Sequence, residues 1–238
     1  IIWFHAASLG EYEQAVPLIN RLKISHPNHK IAVSFFSPSG YEVKKKDSKL
    51  DIITYLPIDT PKNAKAFLDI LQPEITFFIK YEIWINFLDE IAKREIKTYL
   101  VSGLFRENQL YFKPLGRFMA KALGKFNHIF VQNKDSLQLL KRHHFDNSSL
   151  SGDTRYDRVI SQLSMDNKLE FMEEFTNSDE PVVVFGSSWP EDESLFLDVI
   201  DKVSLKIKVV IAPHQIKPIQ IQKLKKTLTK KVICYTEL

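Results

Sequence analysis

The chain has 238 residues, with 33 Lys and Arg against 29 Asp and Glu, a formal net charge of +4, and 44% hydrophobic residues. Such a chain is long enough for one large domain or two smaller ones, and its single cysteine, Cys234, excludes an internal disulfide and any multi-cysteine metal site. No apolar run approaches the about 18 residues that a membrane-spanning helix needs.

Short apolar runs alternate with amphipathic stretches from the first residues. Strands are predicted at 2–6, 31–36, 52–56, 75–79, 98–101 and 128–131, with a short one near 149–152. Helices are predicted at 11–25, through 44–46 after the turn at Ser37–Gly40, from Thr60-Pro61 onward, and at 84–93, 114–125, 135–142 and 156–163. The stretch 164–180 is polar and reads as a linker. A second series follows: strand 182–185, helix 191–203, strand 208–212, helix 218–228 and strand 231–235. The alternation predicts α/β architecture: two doubly wound, Rossmann-like parallel sheets, residues 1–163 and 181–238. The second is expected to be incomplete, since about 60 residues cover only part of a sheet.

The seven glycines stand at 10, 40, 103, 116, 124, 152 and 186, so no two are two apart. A GxGxxG fingerprint and a GxxxxGK[ST] phosphate loop are both absent. Asp-x-Asp, HExxH and GxSxG are absent as well. Chemistry is therefore sought at strand ends, where open α/β sheets bind ligands.

Five such segments stand out. Trp3–Glu11 runs from a strand into a helix, and Glu11 there is either a favourable charge at a helix start, worth about 0.3–1 kcal/mol, or a general base. Lys80–Asn86 carries Glu82, a second acid at the ligand edge or a cap for the helix after Trp84. Ser151–Asp157 carries Arg155, which meets an anionic substrate or pairs with Asp157. Gly186–Glu193 offers Ser187, Ser188 and a helix start suited to phosphate or to plain capping. Ala212–Gln215 ends a strand on Pro213 and His214, and an isolated histidine is more often structural than catalytic.

Taken in order, these segments resemble the 3-deoxy-D-manno-octulosonic acid (Kdo) transferases of Gram-negative bacteria. His5-Ala-Ala-Ser-Leu-Gly-Glu11 matches that family's His-Ala-x-Ser-x-Gly-Glu, and Tyr55–Asp59 its Tyr-Leu-Pro-x-Asp. Ser37–Tyr41 is similar to Thr-Pro-Thr-Gly-Tyr, Lys80–Asn86 to Glu-x-Glu-Leu-Trp-Pro-Asn, and Gly152–Asp157 to Gly-Asn-x-Lys-Phe-Asp. Gly186–Glu193 and Ala212–His214 resemble the Gly-Ser-Thr…Glu-x-Glu and Pro-Arg-His segments. The resemblance implies an inverting, metal-independent glycosyltransferase of two Rossmann-like domains (GT-B). Its substrates would be CMP-Kdo and the lipid A precursor, lipid IVA, at the cytoplasmic face of the inner membrane, with no cofactor and no nucleic acid. It implies that Glu11 deprotonates the acceptor hydroxyl, that Glu82 and Arg155 support the transition state, and that residues around Pro213 and His214 meet CMP. It also implies an N-terminal anchor before Ile1 and a glycine-rich donor segment after Leu238.

The departures carry their own expectations. Lys80 replaces an acid and is expected to hold Glu82 ionised by proximity. Arg155 replaces lysine, a planar fork for a point charge. Pro213 replaces an arginine and offers neither charge nor N–H, so Ser187, Ser188 and the helix near Trp189 are expected to meet the donor phosphate.

Residues 101–145 hold eight basic side chains against two acidic ones, interleaved with Leu110, Tyr111, Phe112, Leu115, Phe118 and Met119. They are expected to form either a surface for anionic lipid or the phosphorylated acceptor, or a solvated helix face with its apolar side in the core. Residues 202–231 carry nine Lys and no acid; without interleaved aromatics or a motif they read as solvated surface, not a nucleic-acid site. The competing readings are another sugar-nucleotide enzyme, such as an epimerase, and a non-catalytic lipid-binding module.

Overall fold

The computed structural model describes residues 1–47, 49–200, 206–228 and 231–237. The chain divides into two compact units, Ile1–Met165 and Asp166–Leu238.

The first unit is built on seven parallel strands: β1 (Ile2–His5), β2 (Ile31–Phe35), β3 (Ile52–Tyr55), β4 (Ile75–Ile79), β5 (Lys97–Gly103), β6 (His128–Val131) and β7 (Ser148–Leu150). Their order is β3-β2-β1-β4-β5-β6-β7. The sequence of connections reverses between β1 and β4, which makes this the topological switch point of the sheet. β1 and β2 are buried at every position, as expected of strands covered on both faces.

The helices are α1 (Leu9–Ser25), α2 (Pro38–Lys44), α3 (Pro61–Leu71), α4 (Ile85–Lys93), α5 (Arg117–Leu123), α6 (Lys134–Arg142) and α7 (Thr154–Leu163). Trp3, Phe78, Leu100 and Ile129 pack with Leu68, Phe87 and Leu140 from α3, α4 and α6 in one core layer. Ile2, Phe4, Val33 and Phe77 pack with Tyr12, Ala15 and Ile19 of α1 in the other. Thr60 and Asn133 cap α3 and α6 with their side chains, each accepting an amide of the first turn.

The single helix expected at 114–125 is instead a 3-10 turn, Pro114–Gly116, followed by α5. A Cβ at Gly116 would collide with the carbonyl of Leu110, so the chain doubles back there on a residue that only glycine can supply.

The second unit contains α8 (Glu170–Thr176), β8 (Val182–Ser188), α9 (Pro190–Ile200), β9 (Lys208–Pro213) and α10 (Pro218–Thr227). α8 lies in the stretch expected to be a linker. β8 and β9 form a two-stranded parallel ladder. The strand expected at 231–235 is not formed: 231–234 are irregular and Tyr235–Glu237 make a 3-10 turn. The predicted extension of α9 through 201–203 lies outside the described residues.

Candidate active site

Three of the strand-to-helix junctions at the carboxyl edge of the first sheet each present a residue singled out in the sequence. Glu11 sits one turn into α1, immediately past β1. Its Oε2 accepts from the Ser8 backbone N–H at 2.8 Å and from the Ser8 hydroxyl at 3.0 Å. The helix-start role weighed for Glu11 is thus present in the fold. Both bonds fall on one oxygen; among the described residues Oε1 receives none, which leaves a fixed carboxylate with a lone pair to spend.

Glu82 follows β4, the neighbour of β1. It does not cap α4, as one reading of the sequence had it. That task falls to Asp59, whose carboxylate accepts from the Asn86 and Phe87 amides at 3.2 Å while its carbonyl accepts from the Asn86 side chain at 2.9 Å. The Tyr55–Asp59 motif thereby acquires a structural purpose that its sequence did not disclose. Glu82 Oε2 instead meets His5 Nε2 at 3.1 Å and accepts from Trp84 Nε1 at 2.5 Å. Lys80 does not pair with it among the described residues. Its backbone is left-handed, at φ 71°, and its ammonium lies 5.0 Å from the Tyr81 ring centre.

Arg155 opens α7 beyond β7. Asp153, not Asp157, is its partner, with bonds of 2.8 and 2.5 Å to one carboxylate oxygen. Burial works against the charged form of Asp153, yet the bonds and charge of Arg155, with the nearby charge of Lys80, hold its carboxyl below the usual range. Although β7 is the sheet's edge strand, two contacts draw α7 inward. The hydroxyl of Ser102, buried at φ 57° in the irregular end of β5, lies 2.8 Å from that of Thr154. Arg158 donates to Glu13 of α1 at 2.6 Å.

The basic, aromatic segment also reaches this edge. Burial, then the negative charge of Glu82, pushes the Tyr111 hydroxyl's pKa up. Tyr111 and Phe112 pack on the core, but Leu115 is 87% and Phe118 57% exposed beside the exposed Lys113, Arg117 and Lys121. The apolar side of this segment is therefore not spent entirely in the core. Among the described residues no helix is long and apolar enough to cross a membrane.

In the second unit, Ser187, Ser188, Pro213 and His214 meet at the ends of β8 and β9. Ser188 pairs with Pro213 in register, its carbonyl accepts from the His214 amide at 2.8 Å, and Trp189 stacks on the His214 ring at 4.5 Å and 27°. A cavity of about 220 Å³ lies here, lined in part by Glu191, Gln215, Gln220 and Leu224. The helix start expected to meet phosphate is electrostatically occupied. Glu191, Asp192 and Glu193 fill the first turn of α9. Ser188 donates to Glu193 at 2.9 Å, and the Trp189 amide to Asp192 at 3.0 Å. The carboxylates already answer the helix dipole. Ser187, exposed and at φ 57°, is the hydroxyl left without a partner among the described residues.

Solved structures share this fold. UDP-GlcNAc 2-epimerase from Neisseria meningitidis superposes with a TM-score of 0.65 over 96% of this chain and 69% of its own, at 14% identity. The crystal structure of the putative UDP-N-acetylglucosamine 2-epimerase from Listeria monocytogenes gives 0.66 over 97% and 66%, at 11% identity. At such identities the likeness is one of fold alone.

Sequence relatives are more specific. The 3-deoxy-D-manno-octulosonic acid transferase of Rickettsia felis is 29% identical over 90% of this chain and 47% of its own length. Those of Rickettsia bellii and Chlamydophila psittaci are 25% and 23% identical over 87% and 99% of this chain, covering 49% and 55% of theirs. The chain spans about half the length of these relatives. A family model described as 3-deoxy-D-manno-octulosonic-acid transferase (kdotransferase) matches residues 1–158, and the chain belongs to that family.

Proposed function

We propose that the full-length protein transfers Kdo from CMP-Kdo to a hydroxyl of the lipid A precursor lipid IVA, at the cytoplasmic face of the inner membrane, without a metal ion. The observation that carries the reading is the pair of carboxylates, Glu11 and Glu82, at the ends of β1 and β4 on either side of the switch point. Glu11 Oε1 takes the proton of the acceptor hydroxyl as its oxygen bonds to the anomeric carbon of Kdo. The bond from that carbon to the phosphate oxygen breaks, and CMP leaves with the electron pair. Attack from the face opposite CMP inverts the anomeric centre. Glu82 and Arg155 act as fixed charges around the reacting sugar. The exposed Leu115 and Phe118, among their lysines and arginine, suit the acyl chains and phosphates of the acceptor. Residues 1–163 would then hold the acceptor, and residues 181–238 the donor, with CMP at Pro213–His214 and the Ser187 hydroxyl toward its phosphate.

The test follows CMP release and Kdo incorporation from CMP-Kdo onto tetraacylated lipid A precursor by the full-length protein with EDTA present. Wild type should turn over, and Glu11→Ala should lower kcat by about 10²–10⁴, the usual contribution of a positioned base. Turnover indifferent to Glu11 returns that residue to helix capping. A requirement for added metal, or no turnover at all, rejects the reading.

A further inference from the structure

His5 is wholly buried at the end of β1 and has no assigned part in the chemistry. Its surroundings fix its proton. Trp3, two residues earlier on the same face of β1, donates its indole N–H to Ser34 Oγ at 2.8 Å. An indole N–H only donates, so the Ser34 oxygen is the acceptor there. Ser34 is itself fully buried, and its own proton needs an acceptor. His5 Nδ1 lies 2.9 Å away, directly across from Ser34 in the β1–β2 register. Nδ1 is therefore the acceptor, the ring proton sits on Nε2, and Nε2–H donates to Glu82 Oε2. Phe78 and Trp84 hold the ring edge-on from two sides, at 5.7 Å and 62° and at 5.2 Å and 89°.

We propose that His5 is a positioning residue: a chain of donations Trp3→Ser34→His5→Glu82, rooted in the core, holds the Glu82 carboxylate at the β1–β4 edge. Oε2 is committed to His5 and Trp84, and Oε1, which accepts no protein bond among the described residues, is presented to substrate. This rests on the reading of the edge as a transferase site. With the ring neutral in this arrangement, its Nε2–H and the Trp84 indole N–H offset the burial of a carboxylate that is only 14% exposed.

Two substitutions separate positioning from mere packing. His5→Gln places an amide N–H near the position of Nε2, whereas His5→Asn reaches only the Ser34 side. In the full-length enzyme His5→Asn should lower kcat about 100-fold, the scale of a small misplacement, with the KM for CMP-Kdo changed less than two-fold. His5→Gln should restore most of that loss although it gives up the Ser34 bond. If both variants lose activity only in proportion to thermal stability, or if His5→Asn turns over like wild type, the proposal fails. A second readout needs no turnover. In full-length protein labelled with ¹⁵N-histidine, the His5 ring should show the Nε2-protonated neutral form, with the Nε2 signal moving in Glu82→Gln. An Nδ1-protonated or doubly protonated ring at neutral pH overturns the proposal, and does so even if the donor proves not to be CMP-Kdo.

Discussion

The two units treat polar side chains in opposite ways. In the first, the central strands of a seven-stranded sheet are covered on both faces, and the residues at the carboxyl edge are tied to groups inside the core: Glu82 through His5 and Ser34 to Trp3, and Arg155 through Asp153 to a helix start pinned on Ser102. In the second, a two-stranded ladder leaves Val184 62% exposed, and the buried Ser188 hydroxyl and the Trp189 amide find their partners only a few residues on, in Glu193 and Asp192. A covered sheet desolvates its polar groups, so each must find a partner, and the resulting chain reaches the functional edge already oriented. A thin sheet imposes no such demand. Its edge is held by local turns.

The largest effect expected on this contrast is from Trp3→Ala. It removes a fully buried ring and the donor at the root of the chain, and should cost about 3–5 kcal/mol, read as a lower urea midpoint for unfolding of the first unit. A loss under about 1 kcal/mol would show that the core does not bear on the edge.

The Asp153–Arg155 pair gives a pH signature. Because the folded Asp153 carboxyl is held below its unfolded value of about 3.9, its contribution is present above that pH and is lost as pH falls through the lower folded value. Arg155→Ala should therefore lower stability at pH 5–7 and flatten the acid limb of the stability profile. An unchanged acid limb would mean that the pair is not formed in solution.

Ser188→Ala should have the smallest effect, within about 1 kcal/mol for one hydrogen bond, with hydrogen exchange quickened only at the start of α9. Exchange quickening in β1 or β4 would contradict a locally held edge.

Much of the first unit was legible because burial on both faces leaves a plain record: apolar runs such as 31–35 and 75–79 can be little else than covered strands. What escaped was non-local. That Asp59 caps α4, 27 residues away, and that Ser34 bridges Trp3 to His5 depend on which strands adjoin, and helical or strand periodicity carries no such information. The match of Tyr55–Asp59 to a family motif was a hint that the segment had a purpose, not of what it holds. Gly116 broke an expected helix because of a carbonyl brought beside it by the fold. In the second unit, α8 was hidden by polar neighbours, although Phe171, Met172 and Phe175 lie at helical spacing and Phe171 packs on Tyr235. The alternation at 231–235 looked like a strand, but a strand exists only with a neighbour to bond.

In the proposed reaction Glu11 of the first unit meets the acceptor and His214 of the second meets CMP. Calorimetric titration of CMP into full-length protein tests it most directly, comparing wild type, Glu11→Gln and His214→Ala. Glu11→Gln should bind CMP within about two-fold of wild type, because the proposed base meets the acceptor and not the nucleotide. His214→Ala should lose about 10-fold or more, the scale of one aromatic contact of about 1–3 kcal/mol. Equal CMP affinity in wild type and His214→Ala, with the loss appearing in Glu11→Gln instead, would contradict it.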